Sequence, residues 1–197
     1  MADASWAQRV LVAYVDGLGA AVSVEEGFGP VTVDVPVHRW VDAVAVARDV
    51  LGCAFFDWLS AVDELDDGFR LVCHVARRRP GSVEHLIVST AVARESPAVG
   101  SVGGIFAGAR WHERETHEMF GIGFTEGGAV LALPGLLLPQ GFEGHPLRKD
   151  FVLASRVAKP WPGAKEPGES DAAPRPARSR RRARPPGVPD PTQWGPR

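Results

Sequence analysis

Apolar residues recur at helical spacing in two segments of the first half of the chain. Residues 6–18 place them at i, i+3 and i+4 intervals, with Asp3 or Ser5 available as the N-cap. Residues 39–51 repeat this spacing and end at Gly52. The pattern therefore predicts two amphipathic helices, each with one buried face.

Five further runs have the composition or the period-two alternation of β-strands. They are residues 21–25, 31–37, 53–64, 69–77 and 83–94. The apolar run 53–64 is expected to be a buried strand, joined to 69–77 in a hairpin through the Asp-Asp-Gly turn at 66–68. The order α-β-β-α-β-β-β predicts an α+β fold, a mixed β-sheet with helices packed on one face.

Composition divides the chain into three parts. Residues 1–98 hold the predicted α+β domain, and 99–155 form an extended glycine-rich segment with little periodicity beyond a short charged helix at 111–120. Such a segment is ordered mainly by what it contacts, which indicates partner docking. Residues 156–197 are predicted to form a disordered tail, because 174–186 holds six arginines and four prolines but no large apolar residue.

Net charge and hydropathy argue against two classes of protein, specific nucleic-acid binders and membrane-spanning proteins. The formal net charge is −2, so no specific nucleic-acid binding is expected, and the basic tail predicts only weak, nonspecific attraction to anions. No apolar run approaches the roughly 20 residues of a membrane helix. The N-terminus lacks the basic and apolar regions of a signal peptide, so we expect a cytoplasmic protein.

Residues that could carry chemistry are few. Cys53 and Cys73 lack CxxC spacing, which excludes a cysteine-ligated zinc or iron–sulfur site in this chain and leaves open a disulfide between them. His112 and His117 stand at i and i+5, so on a helix they point apart and are expected to be solvated rather than zinc ligands. Without a G-x-S-x-G elbow, a stand-alone hydrolase is a weak alternative.

Two segments carry a resemblance to a known family. ERETHEMFGIGF at residues 113–124 and GFEGHPLRKDF at residues 141–151 are similar, in this order, to the paired signatures of the family of the 30 kDa subunit, or C subunit, of respiratory complex I. The second match is nearly complete over its eleven residues. Between the signatures, residues 127–133 are uncharged where members of the family carry a histidine-proline-aspartate-leucine-arginine stretch.

The resemblance implies a structural subunit without a cofactor of its own. Its partners would be the quinone-site subunit, also called the D subunit, and neighbouring peripheral-arm subunits of an NADH:quinone oxidoreductase. NADH, FMN, iron–sulfur clusters and quinone would be bound by those partners, and membrane association would be indirect, on the cytoplasmic side of the cell membrane. Two alternative hosts stay open, a complex I-related membrane-bound hydrogenase and a partial complex I variant.

Ten residues of the two signatures form the candidate partner-binding set. They are Glu113, Arg114, Glu115, Glu118, Met119, Phe120, His145, Arg148, Lys149 and Asp150. The charged members at i, i+3 and i, i+4 spacing are expected to pair within the helix at 111–120, with Met119 and Phe120 as apolar anchors. Arg148 offers a planar fork suited to a partner carboxylate, and Lys149 offers a point charge.

Overall fold

The computed structural model describes residues 5–19, 23–25, 27 and 29–151. Its helices are α1 (Trp6–Leu18), α2 (Trp40–Asp49) and α3 (Ala109–Phe120). Its strands are β1 (Ser23–Glu25), β2 (Val31–Asp34), β3 (Phe55–Asp63), β4 (Phe69–Arg79), β5 (Ser82–Val92), β6 (Ala98–Gly100), β7 (Gly123–Glu126) and β8 (Ala129–Val130). Within this part of the chain, no helix is long and apolar enough to cross a membrane. The predicted disorder of residues 156–197 lies outside the described residues.

Five strands form a mixed sheet in the order β1-β2-β5-β4-β3. β2 runs parallel to β5, whereas the other neighbours are antiparallel. The predicted β3–β4 hairpin is present, with Asp63 opposite Phe69 and with Gly68 at φ 94° in the turn. These pairings confirm the predicted α+β fold.

The helices share one hydrophobic core with the inner face of the sheet. Phe69, Leu71, Cys73 and Val75 alternate along β4 as the sequence predicted, and they are buried in that core with residues of all three helices. α1 begins with a capping box between Ser5, its N-cap, and Gln8. It packs on α2, where Tyr14 Oη donates to the Ala43 carbonyl at 2.9 Å. The core therefore lies between the sheet and the helices.

β3 is an edge strand rather than the buried strand that its composition predicted. Phe55 and Val62 are 53% and 49% exposed, whereas Leu59 is buried. β3 has a neighbour on one side only, and part of its side chains point away from the helices. Apolar content alone does not distinguish a strand that is covered on both faces from an edge strand.

A second, three-stranded sheet, β6-β7-β8, was not predicted. Gly127 and Gly128 have φ angles of 58° and 83° and form the two-residue turn between β7 and β8. Val99 of β6 and Phe124 of β7 are buried in the same core as Leu71. One core thus includes residues from both sides of the predicted boundary between residues 98 and 99.

Candidate partner-docking site

The two signature segments meet at the C-terminal end of α3. The last turn of a helix leaves backbone carbonyls without intrahelical donors. The second signature supplies those donors: His145 Nδ1 to Glu118 O (2.9 Å), Leu147 N to Met119 O (3.1 Å) and Arg148 Nε to Phe120 O (2.6 Å). We call this contact, between residues 118–121 and 145–148, the capping joint. The Arg148 cation also interacts favourably with the negative end of the helix dipole.

Asp63, the last residue of β3, fixes the second signature to the sheet. Its side chain is 1% exposed, and its carboxylate accepts hydrogen bonds from Arg94 Nη1 (2.7 Å), Lys149 N (2.8 Å) and Leu65 N (2.9 Å). Burial by itself would raise the pKa of Asp63, but these bonds outweigh it and lower the pKa to about 2. Arg94 also pairs with Asp150 at 3.0 Å.

Phe69 is the apolar centre of the capping joint. The guanidinium carbons of Arg94 and Arg148 lie 5.1 and 5.2 Å from its ring centroid, and Phe120 meets it edge-on with centroids 6.3 Å apart. Cation–π and edge-to-face contacts of this kind are attractive. The sequence predicted that Phe120 presents its ring to a partner. The side chain is only 5% exposed, so it anchors the joint internally instead.

Glu113 is a buried brace within the first signature. It has no exposed surface, and its carboxylate accepts hydrogen bonds from Ser101 Oγ (2.8 Å) and Val102 N (2.7 Å). Burial raises the pKa of Glu113, and the hydrogen bonds offset only part of that shift. The direct partner contact predicted for Glu113 does not fit this position.

Replacing Glu113 with alanine is expected to lower the free energy of unfolding by about 2–4 kcal/mol, because a buried N–H and a buried hydroxyl lose their acceptor. Urea denaturation measures the loss. Glu113→Gln is the matched control, since it keeps one acceptor oxygen and should cost much less. Because the pKa is raised, the stability of the parent should fall as pH rises above the usual glutamate range, and Glu113→Gln should lack that slope. Equal urea midpoints for all three proteins would contradict the stabilising role of Glu113.

Arg114 and Glu118 hold the loop that follows β8 against α3. Arg114 donates to Pro134 O (3.1 Å) and Gly135 O (2.9 Å), and the Glu118 carboxylate accepts from the backbone N–H groups of residues 136–138 at 2.7–3.1 Å. The predicted charge pairing within the helix is wrong for these two residues. Backbone groups of the loop satisfy their side chains instead.

The two histidines of α3 are half-buried, whereas solvated side chains were predicted. The His112 ring packs edge-on against Phe56, with centroids 5.3 Å apart. His117 Nδ1 donates to the Ile122 carbonyl at 2.9 Å. The rings contact different neighbours, as the i, i+5 spacing predicted.

A cavity of about 550 Å³ lies between α3 and the glycine-rich segment. Arg114, His117 and His145 contribute its polar lining, and Pro139 and Phe142 contribute apolar lining. Both signatures therefore border one concave surface, which is large enough to admit side chains of another protein.

Three large apolar side chains are exposed, one in the first turn of α3 and two on the segments that pack against its C-terminal part. Trp111, Leu137 and Leu147 are 59%, 59% and 52% exposed. Lys149 and Asp150, which follow Leu147 closely in the chain, are exposed as well. We call these five residues the docking surface.

The structure brings the predicted partner-binding residues together but differs in how it uses them. Lys149 and Asp150 are exposed, and Glu113 and Phe120 are buried. The half-buried members are Arg114, Glu115, Glu118, Met119, His145 and Arg148.

Asp63 was missed, because nothing in the sequence near it points to residues 86 positions later. Trp111 was also missed, although a tryptophan directly before a charged helical run was a usable signal.

Comparison with known proteins decides the family. The family model of the respiratory-chain NADH dehydrogenase 30 Kd subunit matches residues 33–157. The chain belongs to this family. The C subunit of the NADH-quinone oxidoreductase of Methylobacterium radiotolerans is 38% identical over 161 residues, which cover 79% of this chain and 70% of that protein. The corresponding subunit of a Roseiflexus species is 35% identical over 158 residues, covering 78% of this chain and 86% of the relative.

Two solved structures share the fold of this 30 kDa subunit family member. A trypsin-resistant fragment of Nqo5 superposes with a TM-score of 0.51 and covers 62% of this chain and 99% of the fragment. A chain of the membrane-bound sulfane sulfur reductase, an archaeal respiratory membrane complex, superposes with a TM-score of 0.58 and covers 73% of this chain and 84% of its own. Both are 22% identical to this chain, so they show the fold alone.

Both family signatures lie inside the matched region, and the capping joint gives a physical reason for their pairing in this member of the 30 kDa subunit family. The first signature forms the C-terminal part of a helix, and the second satisfies the carbonyls at its end.

Proposed function

We propose that this chain is a cofactor-free structural subunit in the peripheral arm of an NADH:quinone oxidoreductase, where its docking surface binds the quinone-site subunit. The observation that carries the proposal is the exposure of Trp111, Leu137 and Leu147 on α3 and on the segments that pack against it. Large apolar side chains exposed on a braced scaffold are typical of residues that become buried at a protein interface.

The capping joint and Asp63 order the second-signature part of the docking surface before any partner binds. Lys149 N donates to Asp63, and Leu147 N donates to the Met119 carbonyl, so the backbone that carries these side chains is fixed. A preordered surface loses less conformational entropy on association. The opposite charges of Lys149 and Asp150 at its rim would orient the partner more than they add affinity.

The two cysteines support the assignment of the iron–sulfur clusters to partner subunits. Cys53 and Cys73 are free and buried, and burial raises the pKa of each thiol to about 12. The thiolate is the form that ligates metals, so these thiols are poor ligands. We accordingly assign iron–sulfur clusters to the partners. On the ground of family membership we extend the proposal to NADH, FMN and quinone in the partners, and to membrane association through the assembled complex on the cytoplasmic side.

Replacing Trp111 and Leu147 together with alanine is expected to reduce the recovery of the quinone-site subunit about tenfold or more, because interface anchors are worth about 1–2 kcal/mol each. The measurement is co-purification of the quinone-site subunit with the tagged full-length chain from cells that express both. Thermal unfolding of the purified double variant should change little, because both side chains are exposed.

Val130→Ala is the matched control, since Val130 is 75% exposed but lies on β8. Recovery of the quinone-site subunit with this variant should equal that of the parent. If the Trp111 and Leu147 double variant also recovers that partner normally, the docking surface is refuted. Flavin-bearing NADH-oxidising subunits in the same preparation would support this host complex, whereas nickel–iron maturation proteins would favour a hydrogenase.

A further inference from the structure

A second exposed apolar area lies on α1 and at the end of α2. Leu11, Val12 and Val15 are 44%, 59% and 42% exposed on α1, and Val50, directly after α2, is 65% exposed. Val12 and Val50 line a groove of about 840 Å³, which we call the α1 groove. The rest of its apolar lining comes from Ala13, Gly17 and Leu51. Its size suits a short apolar segment of another chain.

The α1 groove and the capping joint lie at opposite ends of β4. Phe69, the first residue of β4, contacts Arg148 in the capping joint, whereas Arg77 near the end of β4 lines the groove. At about 3.3 Å per residue, these positions are about 26 Å apart along the strand. A partner that binds at Leu147, beside the capping joint, therefore leaves the α1 groove accessible.

One wall of the α1 groove carries excess positive charge. Arg9 and Arg77 line this wall, and both approach the carboxylate of Glu84 behind it, as does Arg79 outside the lining; Arg79 is at 3.3 Å and Arg77 at 3.7 Å from Glu84. Burial would raise the pKa of Glu84, but the hydrogen bonds and charges of Arg9 and Arg79 outweigh it and lower that pKa, which keeps the carboxylate ionised. Among the residues that line the groove, the two arginines, Arg9 and Arg77, outnumber the single carboxylate of Asp16. The Arg77 side chain is 34% exposed, so it can accept a further acidic partner.

We propose that the α1 groove binds an apolar segment of another subunit that directs an aspartate or glutamate at Arg77. The chain's own arginine-rich stretch at 174–186 has the wrong charge for this wall. A second copy bound about a two-fold axis would bring the same patch, with the same arginines, to both sides of the interface. A segment of a different chain that carries both apolar and acidic side chains would match the apolar lining of the groove and its positively charged wall.

Site-specific photo-cross-linking tests this contact in the assembled complex. The full-length chain carries p-benzoylphenylalanine in place of Val12, and mass spectrometry identifies the captured peptide. We expect an apolar peptide of another subunit that contains an aspartate or glutamate. Arg77→Gln should lower the yield of this cross-link about fivefold or more, and exchange of the acidic residue for lysine together with Arg77→Glu should restore it.

Arg79→Gln is the matched control, because Arg79 also pairs with Glu84 but does not line the groove. It should change the cross-link yield less than Arg77→Gln does. Capture of residues 152–197, of a second copy, or of a peptide without an acidic residue would overturn the proposal. Absence of any cross-link from position 12 would also overturn it. The same cross-linker in place of Trp111 reports on the docking surface separately, so the two proposals can fail independently.

Discussion

The Asp63→Ala variant is expected to lose about 2–4 kcal/mol of its free energy of unfolding. Donors from Arg94, Lys149 and Leu65 lie 2.7–2.9 Å from the Asp63 carboxylate, and alanine leaves all of them without this acceptor. Because one donor is the Lys149 backbone, the second signature should also detach from the sheet. Chemical denaturation measures the first effect, and faster amide exchange at Lys149 measures the second.

Asp63→Asn separates charge from hydrogen bonding. The asparagine keeps one acceptor oxygen, so its loss of stability should be smaller than that of alanine. The pKa of Asp63 is lowered from 3.8 to about 2 in the folded chain, so its carboxylate stabilises the fold above about pH 4. That stabilisation is lost as pH falls through 2. The asparagine variant should lack this part of the acid sensitivity, and an unchanged acid-unfolding curve would contradict the assignment.

The Gly121→Ala variant is expected to lose about 2–4 kcal/mol as well, through backbone strain and crowding. Gly121 ends α3 at φ 75°, a conformation that costs an L-residue about 1–2 kcal/mol. An added Cβ would lie 2.5 Å from His145 Nε2 and closer still to Arg148 Nη2. Both side chains are held by hydrogen bonds to the end of α3, so relief of the crowding breaks the capping joint. Thermal stability and recovery of the quinone-site subunit should both decrease.

Gly127→Ala is the matched control for Gly121→Ala. Gly127 has a φ of 58°, but an added Cβ there would meet no atom within 4 Å. The Gly127→Ala variant therefore has the backbone strain without the crowding, and its loss of stability should be smaller. If both variants lose the same stability and recover the quinone-site subunit equally, the crowding argument is wrong.

The elements of the fold could be predicted from local pattern where one periodicity dominates. α1 and α2 follow from apolar residues at helical spacing, and α3 follows from the charged run at 111–120. The β3–β4 hairpin follows from its turn residues. The edge position of β3 could not be predicted, because strand order depends on pairing between distant segments.

The chemistry of the signatures could be predicted only in part. The sequence identified the residues of the two segments but assigned Arg148 to a partner carboxylate, whereas in the structure its Nε donates to the Phe120 carbonyl. It treated Glu113 as a surface charge, whereas the structure buries it under Ser101 and Val102. Residue type and spacing do not reveal whether a charged side chain meets solvent, a partner or the chain's own backbone.

The sequence by itself determined the family of this protein, its helices and most strands of its main sheet, because those depend on local periodicity and on contiguous motifs. Only the tertiary structure decided that the second signature caps the helix of the first and that Asp63 ties it to the sheet. It also decided that Trp111, Leu137 and Leu147 are left exposed on α3 and on the segments that pack against it. The physical reason is that helix-end carbonyls and buried carboxylates are satisfied by donors that are close in space and distant in sequence.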